Sequence, residues 1–378
     1  MEVYADHAAT TPISETALQA MLPCFQEFYG NPSSQHAMGR QARRKLESAR
    51  AQVAACLGCD AREIYFTSGG TEADNQAVLT AANAGQTQGK KHIVTTSFEH
   101  HALVHTLEKL EKQGFTVTYL EINPDTHNIT PEQVAQAIRQ DTCLVTILYA
   151  NNEIGSILPI PEIGSICRQA GVLFHVDGVQ AVGHIPVHVR DSQIDLLSLS
   201  GHKFHGPKGV GALYIRRGIE PVRLLEGGGQ ERGQRPGTEN LPAVCGMAAA
   251  LQEELEHMEE NTRKITAMAD FLRDTLGKLP GCHLNGDPMH HLPGIVSCSF
   301  EGVDSETLLI LLDSSGICAS AGSACTSGSL EPSHVMRAIG RSPASGSLRL
   351  SLSHENTMEQ MQYIVREVSR IVNSLRQR

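Results

Sequence analysis

Short apolar runs alternate with helical patterns between about residues 60 and 215, and this alternation constrains the fold more than any other feature. Several runs are apolar at every position, not at every second one. Continuous apolar strands are typical of a parallel sheet with helices on both faces. We therefore predict an α/β domain with helices near 72–83, 101–113, 131–139 and 161–169. Its strands are predicted at 63–67, 92–96, 115–120, 143–149, 172–176, 196–199 and 211–215.

The pattern changes after a long helical segment at about 243–279. A strand at 294–300, a helix at 305–314, a Gly/Ser-rich stretch at 315–329, a strand at 347–353 and a final helix follow it. We interpret this order as a smaller α+β domain. The predicted organisation is a large domain over 15–260, and a small domain formed by 1–14 and 261–378.

Composition narrows the class of protein. The chain has 378 residues and a formal charge of −10, with no Lys/Arg-rich block, which argues against nucleic acid as a partner. No apolar run approaches the roughly 18 residues that span a bilayer, and the first residues lack the pattern of a signal peptide. Ten cysteines without framework spacing do not suggest a secreted protein. We expect a cytoplasmic protein with no membrane partner.

Two polar residues end neighbouring predicted strands. Asp177 ends Phe-His-Val-Asp, and Lys203 follows a Ser-Gly-His turn after the next strand. Either residue alone would be an ordinary strand-end residue. Together they are the pair that pyridoxal phosphate requires, because a lysine amine forms a Schiff base with its aldehyde and a carboxylate keeps its ring nitrogen protonated.

A glycine-rich helix start supplies a predicted phosphate site. Ser68-Gly69-Gly70-Thr71 follows the first strand, and the glycines allow backbone N–H groups to approach an anion. Thr71 with Asp74 fits a capping box. Ser200 and His202, which flank the lysine turn, complete the predicted site.

Further polar candidates lie at the same sheet edge. His100 is placed to stack on a flat cofactor and to move protons. Asn152 follows another strand, and Gln180 is placed to contact the cofactor's phenolic oxygen. Thr238 lies in a Gly/Arg-rich loop, and Arg349 lies inside an apolar strand, where a guanidinium requires a carboxylate.

Cys325 lies among small residues in Ser-Ala-Gly-Ser-Ala-Cys-Thr-Ser-Gly-Ser. A structural cysteine usually lies in an apolar run. We interpret Cys325 as a nucleophile on a loop that must move, although a buried cysteine in a tight turn is the alternative.

Together these motifs resemble the NifS/IscS-type cysteine desulfurases, which are fold-type I pyridoxal-phosphate enzymes of the class-V aminotransferase type. The resemblance covers nearly the whole chain. Its most specific part is Ser-Ala-Cys-Thr-Ser followed by Leu-Glu-Pro-Ser. The segment 338–346 is shorter than is usual in the family and lacks an Ala-His pair.

The resemblance implies a role for each candidate in cofactor binding. Lys203 holds pyridoxal phosphate, Asp177 pairs with its ring nitrogen, Gln180 contacts its phenolic oxygen and His100 stacks on its ring. Its phosphate is bound by Thr71, Ser200 and His202, joined by Thr238 from the neighbouring subunit of a homodimer.

It also implies the reaction. Asn152 and Arg349 bind the carboxylate of L-cysteine, Lys203 or His100 moves its α-proton, and Cys325 attacks its sulfur. The products are L-alanine and a Cys325 persulfide, whose sulfur passes to an acceptor. That acceptor could serve iron–sulfur scaffold assembly, tRNA thiolation or a nitrogenase system. Selenocysteine lyase and cysteine desulfhydrase activities on the same fold remain alternatives, and a non-catalytic scaffold or a transcription regulator is less favoured.

Overall fold

The structure is a computed structural model that describes residues 1–322, 333–342 and 344–377. Its large sheet has seven strands in the order β2-β8-β7-β6-β5-β3-β4, and β8 alone runs against the others. The strands are β2 (Ile64–Thr67), β3 (His92–Thr96), β4 (Thr116–Leu120), β5 (Thr142–Leu148), β6 (Leu173–Asp177), β7 (Leu196–Ser200) and β8 (Gly211–Ile215). All seven predicted strands are confirmed to within one residue at their ends.

Helices flank this sheet. They are α1 (Glu15–Gln26), α2 (Ala37–Leu57), α3 (Gly70–Thr87), α4 (His101–Glu111), α5 (Pro131–Ala137) and α6 (Ile160–Ala170). Every residue of β3, β5, β7 and β8 is buried, as expected when helices cover both faces of a sheet. Parallel strands direct their carboxyl ends to one edge, and the crossover helices leave that edge open to a ligand.

The C-terminal part has its own sheet and core. β10 (Ile295–Glu301) lies between β9 (Cys282–Asn285) and β12 (Ser345–Ser351), and both neighbours are antiparallel to it. The N-terminal strand β1 (Val3–Tyr4) pairs with β11 (Ile317–Cys318). α8 (Ser305–Ser314), α9 (His334–Ala338) and α10 (Met358–Arg376) complete this part. The sequence did not predict β9, which is polar and only half-buried.

One long helix joins the two parts. α7 (Leu241–Leu276) packs against α1 and α2 near its start and against α10 and β10 near its end. Buried apolar residues from its second half share a core with Val3, Ala5 and residues of α10. The structure therefore contains the seven-stranded α/β unit and the smaller α+β unit that were predicted, whereas the domain limits at 14/15 and 260/261 stay a prediction. No helix within the described ranges is long and apolar enough to cross a membrane.

Candidate active site

A cavity of about 800 Å³ opens where the parallel strands of the large sheet end. Most of the predicted site residues line it, although they come from segments far apart in the sequence. The polar residues on its walls are Thr71, Asp74, His100, Asn152, Asp177, Gln180, Ser200, His202, Lys203 and Arg349, and Gly70 lines it as well.

Lys203 projects into this cavity from the turn that follows β7. Its Nζ donates to the carbonyl oxygens of Ala8 at 2.5 Å and Ala9 at 3.1 Å. The N-terminal segment thus holds the amine in place at the cavity wall. Such an amine is available for a covalent bond to a carbonyl compound when a deprotonated fraction forms.

Asp177 is the last residue of β6 and is only 6% exposed. Its Oδ1 accepts a hydrogen bond from the Val179 N–H at 2.9 Å. Burial raises the pKa of Asp177 to about 6, although the hydrogen bond from Val179 and the charge of Lys203 oppose that shift. A cationic ring nitrogen beside this carboxylate would supply the countercharge that burial demands.

A second buried carboxyl, Asp74, lies beside Asp177. One oxygen from each and a ring nitrogen of His100 lie within 4.8 Å of one another. Asp74 Oδ1 has no hydrogen-bond partner among the described residues. Burial and the neighbouring Asp177 raise the pKa of Asp74 well above its usual range. Two carboxylates this close cannot both ionise readily, so the pair retains a proton.

His100 occupies the N-cap position of α4. Its Nδ1 accepts a hydrogen bond from the Ala102 N–H at 3.2 Å, so the proton of the neutral ring lies on Nε2. Burial, and then the charge of Lys203, lowers the pKa of His100 to about 4. The imidazole is therefore neutral at neutral pH, which is the form of a base.

The start of α3 forms another wall. Gly69 is its N-cap, and no side chain caps the helix. The predicted capping box of Thr71 and Asp74 is wrong, because the helix begins before Thr71 and Asp74 is buried in the interior. A Cβ on Gly70 would lie 2.6 Å from Val179 Cγ2, so only glycine fits there. The uncapped N–H groups remain available to an anion.

Arg349 on β12 is 1% exposed and reaches the cavity from the C-terminal sheet. Its Nη2 pairs with Asp6 Oδ1 at 2.7 Å, and its Nη1 donates to the Asn152 carbonyl at 2.9 Å. Its Nε has no partner among the described residues. Asp6 is thus the carboxylate partner that was predicted for Arg349, and the Nε donor of the guanidinium has no partner among the described residues.

One predicted site residue that the structure describes does not line this cavity. Thr238 is exposed, in the loop before α7, and does not line the cavity. Cys325 lies outside the described residues, as does the Leu-Glu-Pro part of the motif that follows it.

Asp6 and Asp74 are the site residues that sequence reasoning missed. Asp6 lies in Tyr-Ala-Asp-His near the start of the chain, where no pattern marks it as a site residue, and Asp74 was predicted as a capping residue. Ala77, Val78 and Ala81 follow Asp74 at three, four and seven residues, so an acid on the apolar face of α3 was the available signal for Asp74.

Comparison with known proteins shows the family to which the chain belongs. Residues 3–364 match the family described as aminotransferase class-V. The chain belongs to that family. It is 48% identical over 377 residues to the cysteine desulfurase IscS of Methanosarcina thermophila, a match that covers 99% of this chain and 93% of the relative. It is 45% identical over 381 residues to the cysteine desulfurase IscS of Clostridium botulinum, with 100% and 96% covered.

Solved structures agree with this assignment. A NifS-like protein has a TM-score of 0.92 and 36% identity, with 99% of this chain and 100% of that chain covered. A structure described as SspA in complex with cysteine has a TM-score of 0.82 and 35% identity, with 94% and 99% covered. The predicted fold type, cofactor and enzyme class are confirmed by these relationships.

The cavity suits the pyridoxal phosphate on which class-V aminotransferases depend. The amine of Lys203 and the carboxyl of Asp177 line it together with the uncapped start of α3. The buried Oε1 of Gln180, which has no hydrogen-bond partner in the part of the chain that the structure describes, lies on the same wall. An amine, a buried acid and an anion site are the groups that an aldehyde, a pyridine nitrogen and a phosphate need.

Proposed function

We propose that this class-V aminotransferase relative is a cysteine desulfurase, which converts L-cysteine to L-alanine and keeps the sulfur as a persulfide on Cys325. One observation carries the proposal. Lys203 and Asp177 share a buried cavity with an uncapped helix start and with Arg349, whose Nε is unsatisfied. The cavity thus offers a cofactor site and a carboxylate site side by side. The names of the relatives agree with this reaction.

In this proposal the chain's own residues hold the cofactor as follows. Lys203 binds its aldehyde carbon, Asp177 faces its ring nitrogen and Gln180 contacts its phenolic oxygen. Its phosphate would be bound by the backbone at Gly70 and by the side chains of Thr71, Ser200 and His202. Bound there, pyridoxal phosphate supplies an electron sink for bonds broken at the substrate's α-carbon.

Proton transfer falls to Lys203 or His100. The lowered pKa of His100 keeps its ring neutral at neutral pH, so it can accept a proton. Arg349 and Asn152 would bind the substrate carboxylate, since a guanidinium held by Asp6 presents a fixed donor.

The overall reaction balances without an external oxidant. The C–S bond of cysteine breaks, its sulfur bonds to the sulfur of Cys325, and the carbon left behind takes a proton to become the methyl group of alanine. The proton lost by the Cys325 thiol balances the one that the carbon takes up, and the two electrons that the carbon gains come formally one from each of the two sulfur atoms of the persulfide.

The test is one experiment on purified protein. We expect visible absorbance from bound cofactor and, after addition of L-cysteine with a thiol reductant, equal amounts of sulfide and alanine. Lys203→Ala should remove the lysine-bound form of the cofactor from the spectrum, and Cys325→Ala should prevent persulfide formation. Pyruvate in place of alanine would favour a desulfhydrase. Selenocysteine turnover without any need for Cys325 would favour a selenocysteine lyase.

We infer that the chain works as a homodimer in which Thr238 contacts the phosphate of the partner's cofactor. Exposed apolar side chains support an interface: Leu18, Leu22 and Phe25 on α1, and Tyr29 beyond it, are spaced three or four residues apart. We expect a dimer by light scattering. Mixed dimers of Lys203→Ala and Thr238→Ala chains should regain one intact site, and failure to regain activity would contradict shared sites.

The sulfur acceptor is proposed to be another protein, such as an iron–sulfur scaffold. A persulfide labelled with radioactive sulfur should pass to a true acceptor faster than to an unrelated thiol protein. A cytoplasmic location stays a prediction.

A further inference from the structure

A second cluster of metal-ligating side chains lies outside the cofactor cavity. His205 follows the Lys203 turn, Glu254 lies on α7 and His354 follows β12. One ligand atom from each lies within 4.8 Å of the other two. His205 and Glu254 are 4% and 8% exposed, and His354 is half-buried. None of the three lines the cofactor cavity.

Hydrogen bonding fixes the tautomer of His205. Its Nδ1 lies 3.1 Å from the carbonyl oxygen of Pro12, which can only accept, so the neutral ring must carry its proton on Nδ1. The lone pair of Nε2 therefore lies on the side of the Glu254 carboxylate, whose Oε1 is 4.0 Å away. That distance is too long for a hydrogen bond. A histidine that donates one N–H to a carbonyl and directs its other nitrogen to a carboxylate is arranged like a metal ligand with its outer shell.

A separate observation lies in the adjoining cavity. His7 is 5% exposed, and its Nδ1 has no hydrogen-bond partner among the described residues. Its ring centroid lies 6.0 Å from that of His205, and it lines a cavity of about 510 Å³ together with Glu254. A buried nitrogen without a partner is costly unless something outside the protein satisfies it.

The surrounding charges favour a cation. Glu253 and Glu355 are both close enough to act electrostatically on His205. The ammonium group of Lys264 donates to the backbone carbonyl of His354 and holds the loop after β12 against α7. With Glu254, three carboxyl groups thus surround two imidazoles, and one lysine is nearby.

We propose that His205, Glu254 and His354 form a binding site for a first-row divalent transition metal ion such as Zn²⁺. Two imidazole nitrogens and one carboxylate oxygen are a donor set that Zn²⁺ accepts, with a fourth position left for water. The ion would tie the Lys203 turn, α7 and the segment after β12 together. Its role would therefore be structural and separate from the cofactor chemistry.

Cobalt is the probe for this site, because Co²⁺ occupies zinc sites and its visible absorbance reports the ligands. Holoenzyme freed of metal by a chelator should bind one Co²⁺ per chain, without the intense near-ultraviolet band of a thiolate ligand. The experiment uses a Cys325→Ser background, so that this cysteine cannot supply the site. Zn²⁺ should raise the Tm of the same protein by several degrees.

Glu254→Gln should weaken Co²⁺ binding at least tenfold and abolish the Tm shift, because an amide is a poor ligand. His354→Ala should have the same two effects. Because His354 is only half-buried, this second variant keeps the test valid if Glu254→Gln does not fold. His283→Asn is the matched control, since His283 and Glu301 form an exposed pair that no third metal ligand joins among the described residues. Co²⁺ binding that survives both Glu254→Gln and His354→Ala would overturn the proposal. So would a parent protein that binds no Co²⁺ at one equivalent, and the three side chains would then form a cluster held by hydrogen bonds alone.

Discussion

At the scale of single residues, Asp74 and Asp177 show how neighbouring acids acquire different tasks. Both are buried, and burial together with the charge of Asp177 raises the pKa of Asp74 well above its usual range. Asp177 has Lys203 and a backbone N–H to stabilise its charge, whereas Asp74 has an unpartnered oxygen. The shared proton therefore resides mainly on Asp74, and Asp177 carries the negative charge.

This division predicts unequal effects of the same substitution. Asp74→Asn keeps a neutral, hydrogen-bonding group and should change kcat by no more than about threefold. Asp177→Asn removes the charge that faces the cofactor ring and should lower kcat by about 100-fold or more. Steady-state kinetics and the pH titration of the visible spectrum measure both. Equal losses in the two variants would show that Asp74, too, acts as an anion.

At the scale of elements, a buried ion pair holds the loop that carries Thr238. Arg50 on α2 bonds both carboxylate oxygens of Glu231 at 2.7 Å, and Glu231 also accepts from the Phe66 N–H at 2.9 Å. Side-chain exposure is 3% for Arg50 and 2% for Glu231. The pair ties α2, β2 and the loop before α7 together.

Glu231→Gln should therefore lower the free energy of unfolding by about 3–5 kcal/mol, because it leaves the Arg50 charge buried without its partner. Denaturant unfolding measures the loss. Glu259→Gln is the matched control, since Glu259 forms a salt bridge with Arg263 whose side chains are 95% and 74% exposed, and it should unfold like the parent protein. A parent-like Glu231→Gln variant would mean that the loop is held by other contacts.

Strands of the large sheet were predictable because burial on both faces requires a run of consecutive apolar residues, and such a run is visible in the sequence. Contacts between distant segments were not. Arg349 visibly needed a carboxylate, but nothing local indicates that Asp6 provides it. The half-buried β9 has too few apolar residues to stand out, and its pairing with β10 is what makes it a strand. The sequence therefore predicted most of the polar residues of the cavity, whereas their positions relative to one another were known only from the folded structure.

At the scale of the whole molecule, buried histidines make the fold sensitive to acid. Burial lowers the pKa of His7 and His175 to about 3 and that of His184 to about 4. In all, eleven histidines have lowered pKa values among the described residues, against five carboxyls with raised ones. Below pH 6.5 the unfolded chain therefore binds more protons than the folded one.

The free energy of unfolding should consequently fall as pH drops from about 6.5 toward 4, since a histidine that stays neutral in the folded chain and is protonated in the unfolded one contributes at most about 1.4 kcal/mol per pH unit. The raised carboxyls act in the opposite direction and offset part of the loss. Denaturant unfolding at several pH values, with chelator present, measures the slope. His7→Asn should reduce proton uptake on unfolding by about one. A free energy of unfolding that stays constant between pH 6.5 and 4 would contradict the prediction that the lowered histidine pKa values outweigh the raised carboxyl pKa values.

The cofactor cavity also has a consequence for how the protein is made. Its walls include Ala8 and Arg349, so they come from near both ends of the chain. Chains fold from the N-terminus during synthesis, and the seven strands of the large sheet are complete once residue 215 has emerged. The pocket, in contrast, lacks a wall until β12 arrives. The substrate site is therefore completed late in synthesis, and a chain that ends before β12 would keep the residues proposed to hold the cofactor but would lack the Arg349 guanidinium.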